Sequence, residues 1–379
     1  MKFIPYGHQW IDEKDIAEVV KVLKSDWITT GPKIAEFEDA LSSYIGCKYA
    51  VAVNSGTSAL DIAVQTLNLP AGSEVITTPF TFVATSNAIL YNNLKPIFVD
   101  IEDDTRNINP EGIRKRITDK TKAISYVDYA GHPCDIEEII EIAEEHDLYL
   151  IEDASHAIGA EYKSKKIGNF ADVTVFSFHP VKHLTTGEGG AVVTNNEEFY
   201  EKLKMLRNHG IDKSALERFG PKAGWAYDLK FLGRNYRITD FQAALGISQL
   251  KKLDEFLRRR KEIVAMYNEV FGAIPEIETP IVKSYVKSAW HIYTILLNGM
   301  DRDDFFSKMR ERNLGVNVHY IPIYRFSYYH EHFYNNPEDF PVTEEVFSRI
   351  VTLPLFSKMT DDEVLNVIEI VKEYKNKRR

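Results

Sequence analysis

Between about residue 46 and residue 155 the chain alternates strand-like and helix-like segments, and few folds accommodate that alternation. KYAVAVNSG, EVITTP, KPIFVDIE, KAISYVDYAG and YLIEDAS read as strands, being rich in β-branched and aromatic residues and bounded by turn formers. Between them TSALDIAVQTLNL, FVATSNAILYNN, EGIRKRIT and DIEEIIEIAEEHDL read as helices, the last with apolar residues at clear helical spacing. Strands interleaved with helices require right-handed crossovers, so the expected class is α/β with a mostly parallel sheet covered on both faces. Ligands of such sheets gather outside the carboxyl ends of the strands. SGTS, TPF, EDAS and SFHPVK each follow a strand, so the site is expected there.

At 379 residues the chain is long for one core. We expect a large domain over 1–250 and a smaller C-terminal α+β domain over 251–379. FQAALGISQLKKLDEFLRRRKEIVAMYNEVF reads as one long, charged-faced helix joining them. WHIYTILL, DRDDFFSKMRERNL, VNVHYIPIY and DDEVLNVIEIVKEYKNK then supply strands and helices for the second domain. The basic end KNKRR suits a helix C-terminus, where cations meet the negative end of the dipole.

The chemistry concentrates in Val173–Asn195, VTVFSFHPVKHLTTGEGGAVVTN. Lys182 stands there between two strand-like segments in apolar and small-residue surroundings. A lysine turned inward loses solvation, so its ammonium pKa falls towards neutrality, as a Schiff-base lysine needs. Upstream, the strand YLIEDAS ends in Glu152 and Asp153, and alternation sends Glu152 to the opposite face. A lysine after one strand and a buried carboxylate at the end of another suggest pyridoxal 5'-phosphate (PLP), its ring nitrogen paired to the aspartate.

Thr57 and Ser58 open a helix, where amides and hydroxyls can bind a phosphate; taken alone, a simple N-cap is the favoured reading. Ser177, five residues before Lys182, is placed to reach the same phosphate. Phe82 either stacks on the cofactor ring or fills core, and core is favoured for a lone phenylalanine. His156 either packs near the cofactor or is a satisfied core histidine. VHYIPIYRFSYYH gathers tyrosines with His319, and such rings either face a sugar or form an aromatic core.

Composition narrows the partners. A net charge of −10 argues against nucleic acid, and no run approaches 18 apolar residues, so no membrane span is expected. Cys47 and Cys134 are the only cysteines, without zinc-ligand spacing, so no metal is expected and a reduced, cytoplasmic setting is. The segment MKFIPYGHQWIDEKD has no apolar signal core.

NSGTSAL, TPFTFVAT, EDASHAIGA, FSFHPVKHLTTGEGGAVVTN, GRNYRITDFQAALG and VHYIPIY occur in the order found in one family. Along almost its full length the chain resembles the DegT-type PLP-dependent sugar aminotransferases. VDYAGHPCDI points further, to members acting at C4 of a UDP-linked 4-keto-6-deoxy-N-acetylhexosamine in pseudaminic acid synthesis. The resemblance implies the type I PLP fold and a homodimer with shared sites. It implies that Lys182 carries the cofactor and moves the proton, Asp153 pairs with the ring nitrogen, and His156 lies near the ring. Phe82 would stack on the ring; Thr57, Ser58 and Ser177 would hold the phosphate, with Asn235 reaching in from the second subunit. His319 and Tyr320 fall in the sugar-facing segment, and L-glutamate would donate the amine. The rivals are another nucleotide sugar, such as a GDP-linked 4-keto-6-deoxymannose or a UDP-linked pentose, and a PLP-binding regulator without turnover. A nicotinamide protein is disfavoured, because no GxGxxG follows the first strand.

Overall fold

The strand segments form a seven-stranded sheet in the computed structural model, which describes residues 2–213, 225–333 and 335–376. In chain order they are β1 (Tyr49–Val53), β2 (Glu74–Thr77), β3 (Lys95–Phe98), β4 (Thr121–Val127) and β5 (Tyr149–Asp153). A short ribbon, β6 (Glu161–Tyr162) with β7 (Lys165–Lys166), precedes β8 (Val173–Ser177) and β9 (Gly190–Thr194). The sheet order is β1-β9-β8-β5-β4-β2-β3. Pairings β2·β3, β2·β4, β4·β5 and β5·β8 are parallel, and β9 alone runs against its neighbours. The connection from β8 to β9 is not a crossover helix but a loop across the carboxyl end of β8, and Lys182 lies on it.

Alternation along the strands builds a core on each face. Ala50 and Ala52 join Phe176, Ala191 and Val193 in a core with Phe37, Leu41 and Ile45 of the helix Pro32–Ile45. Val51 and Val53 face the other way, with Val175 and Val192, onto Ala59, Ile62 and Ala63 of the helix Gly56–Thr66. A sheet covered on both faces leaves only its ends open to a ligand.

The segment expected as one long helix is two, Asp240–Leu250 and Leu253–Phe271. The reason is tertiary. Lys252 turns out of the helix path to ion-pair with Asp15 (2.6 Å) and Asp12 (3.0 Å), and Asp15 is fully buried. The first piece is buried through Ala243, Ala244, Ser248 and Gln249; the second presents one apolar stripe and a charged face.

Past this break lies a three-stranded antiparallel sheet of β10 (Ile277–Glu278), β12 (Tyr293–Leu297) and β13 (Ile350–Leu353). Its core joins Tyr293, Ile295, Val351 and Leu353 to Phe271, Phe305 and Val364. Two segments cross the expected division near residue 250. Ile4 pairs with Leu314 and packs in this second core, whereas β11 (Val286–Lys287) pairs with β6 of the first domain. The last helix runs Asp361–Asn376, and Lys377–Arg379 of KNKRR lie outside the described residues. Among the described residues no helix is long and apolar enough to cross a membrane.

Candidate active site

A cleft of about 730 Å³ opens where β1, β5 and β8 end and the segment Asn317–Ile321 of the second domain comes over them. Thr57, Phe82, Asp153, His156, Ser177, Lys182, His319 and Tyr320 all line it, although they come from five separate segments. The strand ends explain the meeting. Parallel strands deliver the residues that follow them to one edge of the sheet.

Lys182 is held by the turn after β8, where its N–H donates to the His179 carbonyl at 2.9 Å. Burial pushes its ammonium down to about 8, opposed by the charge of Asp153 and assisted by that of Arg260. An amine in this state is available as a nucleophile near neutral pH. Its Nζ lies 3.4 Å from His291 Nε2.

Asp153 closes β5 and is 4% exposed. Its Oδ2 accepts from Thr85 Oγ1 at 2.7 Å and its Oδ1 from the Ser155 amide at 3.1 Å. Two fixed donors hold the carboxylate in one orientation towards the cleft. Glu152, one residue earlier, is buried on the opposite face, where it accepts from Thr174 Oγ1 at 2.8 Å.

The helix Gly56–Thr66 begins at the same edge, and its N-cap is Ser55, whose Oγ accepts from the Ser58 amide at 3.0 Å. The Ser58 hydroxyl turns to Ser55 Oγ (2.9 Å), so Ser58 braces the cap from behind and is not among the cleft residues. Thr57 does line it. Ser177 packs so close to this helix end that a Cβ on Gly56 would lie 2.9 Å from Ser177 Cβ and 3.0 Å from its Oγ. A hydroxyl thus stands beside the open N-terminal turn, where backbone amides attract an anion.

Phe82 is 60% exposed, so it fills no core; its ring forms part of the mouth, with Ile321 and Phe326. His156 is buried between His291, with ring centroids 4.3 Å apart, and Tyr320, whose hydroxyl meets His156 Nε2 at 3.1 Å. Burial, followed by the charge of Lys182, pushes His156 well below the ordinary histidine range. Its Nδ1 has no hydrogen-bond partner among the described residues, a buried polar atom left for a ligand. His319 is pushed down to about 3 by the same two causes and is fixed by Thr352 Oγ1 at 2.8 Å. Asn235 does not reach this cleft in its own chain. It is exposed, on a segment that bridges to Asn208.

This donor set fits PLP: an amine of depressed pKa, an oriented buried carboxylate, a helix end too tight for any Cβ at Gly56, and an unpartnered imidazole nitrogen between them. Thr85 and His291 were missed from sequence. Thr85 sits inside the quoted TPFTFVAT as an ordinary helix residue. His291 precedes the apolar strand IYTILL, and a polar residue at the mouth of such a run was the available signal.

The profile of the DegT/DnrJ/EryC1/StrS aminotransferase family matches residues 9–372. The chain is 45% identical over 332 residues to the UDP-4-amino-4,6-dideoxy-N-acetyl-beta-L-altrosamine transaminase of Campylobacter jejuni, covering 86% of each. It is similar in structure to Helicobacter pylori PseC, an aminotransferase involved in the biosynthesis of pseudoaminic acid. The TM-score is 0.93 at 35% identity, over 99% of this chain and 100% of that one. Spr1654 from Streptococcus pneumoniae, solved in PMP and PLP forms, is similar with TM-scores of 0.93 at 33% and 32% identity, over 99% of both chains.

Proposed function

Because the chain belongs to the DegT/DnrJ/EryC1/StrS aminotransferase family, whose cofactor is PLP, we propose that it moves the amino group of L-glutamate to C4 of a UDP-linked 4-keto-6-deoxy-N-acetylhexosamine. One observation carries the chemistry. Lys182, Asp153 and the open end of the helix Gly56–Thr66 face a single cleft. The sugar assignment is supported by the Campylobacter and Helicobacter relatives and by the segment Asn317–Ile321 that walls the cleft opposite the sheet.

PLP supplies the electron sink through which an amine and a carbonyl are exchanged. Everything else falls to the chain. Lys182 Nζ, uncharged above pH about 8, holds the cofactor and, once released, carries the proton between carbon atoms of the bound reactants. Asp153, its carboxyl oriented by Thr85 and Ser155, would pair with the ring nitrogen. Thr57, Ser177 and the amides of the first helical turn bind the phosphate. His156 would lie against the ring and, held uncharged, adds no repulsion to Lys182. Phe82 covers the mouth, and His319 and Tyr320 form the wall against the sugar.

Asn235 completes the phosphate site of a second copy in a cytoplasmic homodimer. Its exposure outside its own cleft supports that assignment, as does the exposed apolar run Trp225, Leu229 and Leu232 just before it. A single-turnover assay with glutamate alone tests the first half of the reaction. The loaded enzyme should release 2-oxoglutarate in proportion to its sites; no release would leave a cofactor-binding regulator.

A further inference from the structure

Arg260 presents an energetic problem. It sits on the helix Leu253–Phe271, is 1% exposed, and has no ion pair among the described residues. A buried cation without a carboxylate is expensive and is kept only where its hydrogen bonds have a use. Its Nη1 donates to three carbonyls: Trp290 (3.1 Å), His291 (3.0 Å) and Leu355 (3.2 Å). Two of the three belong to the residues that put an imidazole beside Lys182.

A second device acts on the same residues. Ala289 N–H donates to the Gly131 carbonyl at 2.9 Å and His291 N–H to the Ala130 carbonyl at 2.8 Å. Trp290 between them lies at φ 53°, a left-handed conformation that costs a bulky residue about 1 kcal/mol or more. The opposing turn comes so close that a Cβ on Gly131, at φ +92°, would lie 2.9 Å from Trp290 N and 2.8 Å from the His156 carbonyl. The backbone of residues 289–291 is thus gripped from the first domain by the turn at Gly131 and from the linking helix by Arg260.

What the grip delivers is one contact. His291, 4% exposed, brings Nε2 to 3.4 Å from Lys182 Nζ, while its Nδ1 has no partner among the described residues. The groups facing this pair are Asp153 from the end of β5, His156, His183 on the Lys182 loop, His319 and Tyr320 from the second domain, and Arg260. Among the described residues the charged or titratable groups that act on His291 are Lys182, His156, His183 and Arg260, none of which favours an imidazolium. A neutral ring with its proton on Nδ1 leaves the Nε2 lone pair aimed at the amine.

We propose that His291, gripped by Arg260 and the Gly131 turn, is a positioning residue that accepts a hydrogen bond from Lys182 whenever that amine is not bound to the cofactor, and so fixes where the amine waits and how readily it is protonated. The inference rests on the reading of Lys182 as the cofactor lysine. An acceptor favours the ammonium form. Its loss should therefore lower the pKa of Lys182 further, and a misplaced amine should transfer protons more slowly.

The test uses the full chain, first freed of cofactor and then reloaded with PLP. In the cofactor-free protein, labelling of Lys182 by an amine-reactive reagent is followed against pH by mass spectrometry. His291→Phe should move the midpoint down by about one unit, from the worth of a hydrogen bond to a charged group. His291→Gln keeps an acceptor and should return the midpoint towards the native value. With PLP restored, His291→Phe should slow the glutamate half-reaction at least about tenfold, while borohydride still attaches the cofactor to Lys182. A native midpoint in a folded His291→Phe protein overturns the proposal, as does a His291→Gln protein no better than His291→Phe. If neither variant folds, the native protein decides: nitrogen NMR of labelled histidine should find the His291 proton on Nδ1, and a proton on Nε2 at neutral pH overturns the proposal. Borohydride attachment at some other lysine would instead sink the reading of Lys182.

Discussion

At Lys182 function and stability pull in opposite directions, and the direction is measurable. Its ammonium falls from 10.5 to about 8 in the folded, cofactor-free chain. Between those values the unfolded chain holds a proton that the folded chain has lost, so stability rises with pH across the window and is lowest below pH about 8. Lys182→Met should accordingly be more stable than the native protein at pH 7, with the gap closing towards pH 10. Urea midpoints of the two proteins at several pH values check this, and a gap independent of pH contradicts it. Lys182→Met should also retain no cofactor after borohydride treatment. Residues of this kind were legible in sequence because their neighbours are strands: Lys182 and Asp153 stand out as charges at the ends of apolar runs. Phe82 reads as core when taken alone and is assigned to the ring only through the resemblance in TPFTFVAT; it lies exposed at the cleft. His291 was not legible. Its meaning lies in Lys182, 109 positions away, and in Arg260, and no local pattern carries such a contact.

Among the elements, the helix Gly56–Thr66 shows how one segment can be both cap and binding site. Ser55 satisfies the Ser58 amide, and Gly56 lets Ser177 approach the open turn. Ser55→Ala should cost about 1 kcal/mol of stability, as the loss of an N-cap does. Gly56→Ala should have a different signature. Its Cβ would press on Ser177, and overpacking of about 1–3 kcal/mol there would weaken PLP binding by roughly tenfold or more. Fluorescence titration of cofactor into the two variants separates the effects; equal PLP affinity in Gly56→Ala and native protein would remove Ser177 from the phosphate site. Helical periodicity and strand alternation made these elements readable over the large domain. They failed at Lys251–Lys252, where the linking helix breaks, because the break is made by Asp12 and Asp15 from the other end of the chain. The second residue past β4 is another limit. Tyr129 sends its hydroxyl to the His319 carbonyl at 2.6 Å, tying the first domain to the cleft's far wall in a way no motif announces.

For the molecule as a whole, the segment Asn317–Ile321 comes over the carboxyl ends of β1, β5 and β8, and a second copy is expected to close the site. Asn235 is the residue to watch. Lys182→Ala and Asn235→Ala chains, each inactive alone, should regain part of the native activity when mixed and allowed to exchange subunits. Activity that stays absent once heterodimers are demonstrated would contradict sharing. In the proposed reaction an amine moves from an amino acid to a nucleotide sugar, and nitrogen-labelled glutamate follows that amine directly. Enzyme loaded with PLP is given ¹⁵N-glutamate and a panel of UDP- and GDP-linked 4-keto sugars, and the sugar products are analysed by mass spectrometry. ¹⁵N is expected at C4 of the UDP-linked 6-deoxy-N-acetylhexosamine in preference to the others, and no labelled sugar with Lys182→Ala. Label in a GDP-linked sugar or a UDP-linked pentose instead would replace the substrate; label in none of them, while 2-oxoglutarate is released, would contradict transfer to a nucleotide sugar.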